Sequence, residues 1–103
     1  MAKYNVVIAR RADEMLLRHT EFLSRVSLPA ARKLLSAFEE VIGNLEENPF
    51  LYQIDDDSNL PEGKYRRALF LERYKVLYCI EENMVYVDAV VDCRQDMSRM
   101  KQM

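Results

Sequence analysis

Two amphipathic segments joined by only a few residues are the feature that most restricts how this chain can fold. ADEMLLRHTEFLSRV carries apolar residues at helical spacing, with His19 filling one turn of the stripe, and Leu28 to Glu47 repeats the same steps. Between them, Ser27 can cap the second helix, and Pro29 is tolerated in a first helical turn. A connection this short predicts an antiparallel helix hairpin, whose two apolar stripes must be buried on a further surface.

The segments after residue 64 predict that surface. Tyr65 to Leu71, Tyr74 to Glu81 and Met84 to Val91 are rich in β-branched and aromatic residues and are separated by short turns, which indicates a meander of three strands. The third segment is apolar at nearly every position, as is typical of a strand that is covered on both faces or that is central in the sheet. The turn before it is Glu82-Asn83, where Asn83 suits the positive φ that tight turns need. The middle segment alternates, and its apolar face comprises Tyr74, Val76, Tyr78 and Ile80.

The remaining elements complete a fold prediction. A first strand is predicted from Lys3 to Ala9, and Phe50 to Lys64 is interpreted as an irregular acidic loop with a turn. The predicted class is α+β, in the order β-α-α-β-β-β, with the helix hairpin packed on a small, mainly antiparallel sheet. With 103 residues, the chain is expected to form a single domain over residues 1–103.

The composition excludes several classes of protein. Half of the residues are hydrophobic and 31% are charged, as in ordinary globular domains, and no run approaches the ~18 apolar residues of a membrane span. The N-terminal apolar run is too short for a signal peptide, so a cytoplasmic location without a membrane partner is expected. Cys79 and Cys93 have no zinc-like spacing and are interpreted as small apolar strand residues. No metal and no cofactor is expected.

The cations of this chain are concentrated in its most strand-like part. Five cations and one glutamate give the segment from Lys64 to Lys75 a net charge of +4, whereas six acids and no cation give Glu46 to Glu62 a charge of −6. A cationic sheet flanked by tyrosines suits either phosphates and bases or the carboxylates of an acidic peptide. The alternative is a solvated face paired with the acidic segment. The candidate target- or phosphate-binding residues are Lys64, Arg66, Arg67, Arg73, Lys75 and Arg94.

The sequence contains no recognisable catalytic constellation, and catalytic residues remain unassigned. His19 lies inside a helical apolar stripe and is expected to be packed, and no Ser or Cys nucleophile stands beside a base. There is no glycine-rich phosphate loop either, since the chain contains only two glycines.

Two acids and three methionines near the C-terminus complete the set of candidates. Asp88 and Asp92 would share one face of the last strand, where pairing across the sheet is the simplest role. Their expected partners are Arg66, Arg67 or Lys75. The last methionines recur every three residues, which fits either a helical turn with an apolar edge that covers the sheet or docks a partner, or a frayed end. They are Met97, Met100 and Met103.

These segments resemble the RelE/ParE superfamily of toxins from type II toxin–antitoxin modules, also called plasmid stabilisation system proteins. The resemblance covers nearly the whole chain, through YNVVIARRADEML, ARKLLSAFEEVIGNLEENPFL and YRRALFLERYKVLYCIEENMVYVDAVVDCR. In the last of these, Lys75 stands in the place of the family's usual Arg, and Arg94 in the place of its closing Arg. The resemblance implies a growth-inhibiting protein that a cognate antitoxin neutralises, as a homodimer or as a hetero-oligomer with that antitoxin.

The resemblance leaves two mechanisms open. A ParE-like toxin binds and inhibits DNA gyrase without chemistry of its own, whereas a RelE-like toxin is a ribosome-dependent mRNA endoribonuclease. Asp92 stands where many members carry His, the tail after Arg94 contains no Tyr, and the formal charge is −2 rather than strongly basic. These departures favour the ParE-like mechanism. A third hypothesis is a non-toxic regulatory module that binds only the antitoxin and operator DNA.

Overall fold

The structure is a computed structural model of the chain, and it describes residues 3–57 and 59–94. The elements follow in the order β1, α1, α2, β2, β3, β4 and β5, with one 3₁₀ turn before β2. Their bounds are Asn5–Ile8, Arg10–Val26, Leu28–Glu47, Gln53–Ile54, Arg66–Phe70, Tyr74–Glu81 and Met84–Asp92, and the 3₁₀ turn is Pro49–Leu51. No helix within the two described ranges is long and apolar enough to cross a membrane. The predicted turn at Met97, Met100 and Met103 lies outside them.

The predicted helix hairpin is confirmed, and a single residue connects its two helices. The Ser27 N–H donates to the carbonyl of Leu23 at 2.7 Å, and the Ser27 Oγ accepts the N–H of Ala30 at 3.2 Å. Pro29 lies in the first turn of α2, where a missing N–H costs no helical hydrogen bond. Ser27 therefore both ends α1 and caps α2, which leaves the helices as antiparallel neighbours.

The sheet contains five strands in the order β1-β5-β4-β3-β2, and the predicted α+β class is confirmed. β1 pairs with β5 in parallel, and the three other pairs are antiparallel. β5 consequently lies between β1 and β4, which agrees with the second of the two alternatives that its apolar composition offered, a strand away from the edge of the sheet.

Both helices pack on one face of this sheet. Tyr74, Val76, Tyr78 and Ile80 of β4 alternate toward the helices, as predicted. Tyr78 is completely buried, and its hydroxyl donates to the carbonyl of Pro49 at 2.6 Å, so that its polar atom is satisfied inside the core. The buried helix residues on the other side of this contact include Ala12, Leu16, Leu34, Phe38, Val41 and Leu45.

The prediction of an irregular loop after α2 was wrong at the start of that segment. The Oδ1 of Asn48 accepts the N–H of Phe50 at 3.1 Å and begins the 3₁₀ turn, and β2 then pairs with β3 at the edge of the sheet. A strand of two residues is too short to show the alternation from which strands are recognised in a sequence.

The prediction for the β4–β5 turn was also wrong in its detail. The positive φ, 54°, belongs to Glu82 and not to Asn83. The carbonyl of Asn83 accepts the N–H of Asn5 at 2.9 Å, so this residue instead helps to hold the beginning of β1 against β5.

The turn between β3 and β4 contains two consecutive residues with positive φ. Leu71 and Glu72 have φ values of 54° and 56°, and the N–H of Arg73 donates to the carbonyl of Phe70 at 3.3 Å. This is the backbone pattern of a type I′ turn, which favours Gly, Asn and Asp at both positions. Leu71 and Glu72 are not among these residue types, so their Cβ atoms strain the backbone of the turn.

We expect the Glu72→Gly variant to be more stable than the wild type by about 0.5 kcal/mol. Glycine removes the clash of Cβ with the backbone at positive φ, and this gain exceeds the added entropy of the unfolded chain. The free energy of unfolding from urea titration measures the effect. Glu81→Gly, at the extended end of β4, is the matched control and should instead lose about 0.5 kcal/mol. If both variants lost the same free energy of unfolding, the backbone at Glu72 would not be strained.

Candidate interaction site on the sheet

The strand register divides the candidate cations between the two faces of the sheet. Arg66 lies opposite the buried Tyr78 and therefore on the face that the helices cover. Arg67 lies opposite Leu77, and Lys75 shares its face, which we call the open face. The six candidate cations consequently do not form a single surface.

Lys75 forms a largely buried ion pair on the open face. Its Nζ lies 2.9 Å from the Oδ2 of Asp55, and the two side chains are 15% and 2% exposed, respectively. The Oδ1 of Asp55 accepts the N–H of Asp57 at 2.8 Å, so both carboxylate oxygens have partners. Burial by itself would raise the pKa of Asp55, but the hydrogen bonds from Lys75 and from Asp57 outweigh it and hold that pKa below 3.8.

Arg73 forms a second ion pair, in the turn that immediately precedes β4. Its Nε and Nη2 donate to the Oδ2 of Asp92 at 3.1 and 2.9 Å, and the N–H of Arg94 donates to the Oδ1 at 3.0 Å. Burial opposes ionisation of Asp92, but these hydrogen bonds again leave its pKa below the ordinary value. The expectation that Asp92 pairs with Arg66, Arg67 or Lys75 was wrong.

A β-bulge in β5 explains this change of partner. Val87 lies opposite Tyr78 and Ala89 lies opposite Leu77, so Asp88 is an extra residue without a counterpart on β4. The bulge shifts the alternation by one position, which turns Asp92 toward the side of Tyr74 and the helices, away from Lys75.

Asp88 has a neutral hydrogen-bonding partner instead of the cation that was expected. The hydroxyl of Tyr65 donates to the Oδ2 of Asp88 at 2.6 Å, and this bond, together with burial, raises the pKa of Tyr65 to about 12. The backbone carbonyl of Asp88 also accepts a long hydrogen bond, 3.4 Å, from the Nε of Arg11. The bulge therefore ties the open face to the N-terminal turn of α1.

The two adjacent arginines of β3 have different partners. The Nη1 of Arg66 donates to the carbonyl of Tyr52 at 2.6 Å, and its guanidinium lies 5.2 Å from the centre of the Phe50 ring. Arg67 donates to the Oδ1 of Asp56 at 3.3 Å and to the Oε1 of Gln53 at 3.0 Å. A shallow cavity of about 310 Å³ adjoins it, lined by Leu51, Tyr52, Gln53, Arg67 and Leu69.

Two of the six candidate cations have exposed side chains without an ion pair in the part of the chain that the structure describes. The Nζ of Lys64 lies 5.3 Å from the centre of the Tyr65 ring, and Arg94 follows the end of β5. The binding roles of all six residues remain predictions, but the charge of three of them is compensated by carboxylates within the fold.

His19 and Cys79 occupy the packed positions that their sequence contexts indicated. The Nε2 of His19 lies 2.9 Å from the carbonyl of Val90, and its ring centre is 5.3 Å from that of Tyr74. Since a carbonyl only accepts, this nitrogen carries the proton. Cys79 is buried on the open face, where burial and the nearby Asp88 raise the pKa of its thiol. Neither residue is placed as a nucleophile or an exposed base.

Sequence reasoning did not single out the residues that hold the cations. Asp55 was counted only as part of an acidic segment, and Tyr52 and Gln53 were placed in a loop, yet these three residues bind Lys75, Arg66 and Arg67. The charge balance of the two segments, +4 against −6, was the only available signal. It indicated that the segments attract each other but not which atoms meet.

Comparisons with known structures find other proteins with this fold. The chain is similar to the structure described as the "Chromosomal ParDE TA system from P. aeruginosa", with a TM-score of 0.72, 11% identity, and coverage of 87% of this chain and 96% of that chain. It is also similar to "The structure of YoeB dimer from Staphylococcus aureus", with a TM-score of 0.56, 16% identity, and coverage of 85% and 94%. At these identities the likeness shows the fold.

The family itself is identified by its sequence. A family model described as "ParE toxin of type II toxin-antitoxin system, parDE" matches residues 6–97. A comparison with curated proteins found no match. Because the family model covers most of the chain, this protein belongs to the ParE toxin family of type II toxin–antitoxin systems.

The Asp55→Asn variant should be about 2 kcal/mol less stable than the wild type at pH 7, because it leaves Lys75 largely buried without a counter-charge. The pKa of Asp55 is lowered in the folded state, so its contribution is fully present above the unfolded pKa of about 4 and is lost as the pH falls below it. We therefore expect the difference between variant and wild type, from urea unfolding, to shrink at pH 3.

Asp56→Asn provides the matched control, since Asp56 is exposed and its contact with Arg67 lies in solvent. This variant should change the free energy of unfolding by less than about 0.5 kcal/mol at either pH. An Asp55→Asn variant as stable as the wild type at pH 7, or equally destabilised at pH 3, would mean that the ion pair contributes nothing to folding.

Proposed function

We propose that this ParE-family toxin inhibits growth by binding DNA gyrase, without chemistry of its own, and that a cognate antitoxin neutralises it by binding. Membership of the ParE toxin family supports the general role of this protein as a toxin. The choice of binding over RNA cleavage is based on the partners of the cations on the sheet.

The ion pair between Lys75 and Asp55 is the observation that carries this choice. Cleavage of RNA by such a fold requires cations held against the charge that develops on the phosphate. Lys75 stands in the place of the family's usual Arg, but its ammonium is 2.9 Å from a carboxylate and largely buried. A phosphate at this position would be repelled by Asp55 and would have to displace it.

The rest of the charge distribution supports the same choice. Asp92 stands at the position where many members of the family carry His, and its carboxylate forms an ion pair with Arg73. An acid–base group is thus replaced there by a carboxylate whose charge is already compensated. The whole chain has a formal charge of −2, which disfavours approach to the strongly anionic ribosome. A protein target with its own pattern of charges imposes no such penalty.

The edge of the sheet at β2 is suited to an antitoxin segment. β2 pairs only with β3, so its other side presents unpaired backbone groups to which an extended segment can add. Leu51, Ile54 and Leu69 are exposed there, beside the cavity that Arg67 lines. Apolar side chains of an antitoxin would cover these residues, and a carboxylate would compete with Asp56 for Arg67.

Purified toxin should inhibit supercoiling by DNA gyrase, and toeprinting of an in-vitro translation reaction should show no ribosome-dependent cuts within codons. Expression without the antitoxin should arrest growth. Toxin premixed with an excess of its antitoxin is the control and should leave gyrase active, since the antitoxin is expected to mask the toxin.

Each alternative has its own outcome. Cuts within codons that depend on the ribosome would overturn the proposal in favour of an mRNA endoribonuclease. Normal growth on expression of a folded protein, together with binding of the antitoxin, would instead indicate a regulatory module. Inhibition of growth without an effect on gyrase or mRNA would leave the family role intact and disprove only the target.

A further inference from the structure

The connected ends of the two helices form a second exposed surface, which the proposed function does not use. We call residues 22–35 the hairpin tip; it comprises the last turn and a half of α1, the connecting Ser27 and the first two turns of α2. Phe22 is 58% exposed and Val26 75% exposed. Leu28 and Leu35 are exposed on α2.

The apolar stripe of α1 becomes exposed because the helix extends beyond the sheet. His19 contacts Tyr74, the first residue of β4, and the carbonyl of Val90, near the end of β5. Val26 follows seven residues later, so it lies on nearly the same side of the helix and about 10 Å further along its axis. Leu23 still packs against the core, but Phe22 and Val26 are exposed beside it.

The cations of the hairpin tip also have no counter-charge among the described residues. No Asp or Glu occurs from Phe22 to Phe38. Arg25, Arg32 and Lys33 lie on this stretch with exposed side chains, and none of them forms an ion pair within the described residues. The open face of the sheet shows the reverse, since its cations Arg67 and Lys75 contact carboxylates.

We propose that the hairpin tip is a docking surface for an acidic, apolar segment of a partner protein. The apolar side chains of the segment pack against Phe22, Val26 and Leu28, and its carboxylates pair with cations at the rim of the patch. Those cations are Arg25, Arg32 and Lys33. The surface is separate from the β2 edge, and the proposal holds whatever the cellular target of the toxin is.

Charge excludes the other occupants of this surface. Residues 95–103 of the chain carry Asp96 against Arg99 and Lys101, so their side chains offer no excess of negative charge for the tip. A symmetric contact between two copies would place the same cations opposite each other. A nucleic-acid duplex presents phosphates and sugars at its surface, which would leave Val26 and Leu28 without apolar partners. An anionic bilayer would meet only this local patch of a chain whose formal charge is −2.

The test uses the full-length toxin and a fluorescent helical peptide of about four turns, with glutamates on one face and leucines on the other. Fluorescence anisotropy should detect binding that weakens as salt is raised. Chemical-shift changes of the toxin's backbone amides should concentrate in residues 22–35. A peptide with lysines in place of the glutamates should not bind.

Three variants locate the site. Arg25→Glu/Arg32→Glu should weaken binding of the acidic peptide at least about tenfold, since each substitution replaces an attraction with a repulsion. Lys3→Glu/Lys64→Glu changes the net charge equally at exposed positions away from the tip, and it should leave the affinity within about twofold. Val26→Ser should weaken binding without changing its dependence on salt, and its far-UV circular dichroism verifies that the variant is folded.

Several outcomes would overturn the proposal. They are an absence of binding, shift changes centred on the sheet, and equal losses in the two charge variants. Two more observations would assign the surface to another occupant: binding to vesicles of phosphatidylglycerol that Arg25→Glu/Arg32→Glu abolishes, or a concentration-dependent dimer that Val26→Ser dissociates.

Discussion

The rest of this structure depends on the burial of the apolar stripe of α2 in the core that the helices share with the sheet. A helix of this length is marginally stable in water on its own, and a small sheet needs one covered face. Leu34, Phe38 and Leu45 belong to the same buried cluster as Val76 and Tyr78, and the ring centre of Phe38 lies 6.4 Å from that of Phe70 on β3. Each fully buried apolar side chain contributes about 1.5–3 kcal/mol. The hydroxyl of Tyr78 binds the carbonyl of Pro49 at 2.6 Å, which also fixes where the chain leaves α2 and turns toward β2.

One additional residue in β5 decides how the charges around this core are arranged. The bulge at Asp88 sends Asp92 to the side of Arg73 and leaves Lys75 to a carboxylate from a different segment, Asp55. Arg73 and Lys75 each pair with a carboxylate that is distant in the sequence, so each ion pair connects two separate segments of the chain. The same pairs remove the charge that a phosphate would require, which links the fold's stability to the choice between binding and cleavage.

The cations of the sheet and those of the hairpin tip therefore differ in whether carboxylates of the chain compensate their charge. The cations in the sheet are largely compensated by their own acids, whereas the cations of the hairpin tip, Arg25, Arg32 and Lys33, are left to solvent beside exposed apolar side chains. A toxin that acts by binding needs surfaces for both its target and its antitoxin. The hairpin tip and the open sheet edge are the two surfaces that we propose for these roles.

Local patterns in the sequence determined the elements whose signal extends over several residues. The bounds of α2 and of β4, the Ser27 connection and the central place of β5 all follow from periodicity and capping, because these depend on neighbours in the chain. Only the tertiary structure decided the two-residue β2, the bulge at Asp88, the partners of Lys75 and Arg73, and the exposure of Phe22 and Val26. These features arise from contacts between residues far apart in sequence, and a one-residue shift of register is enough to exchange the faces on which charges meet.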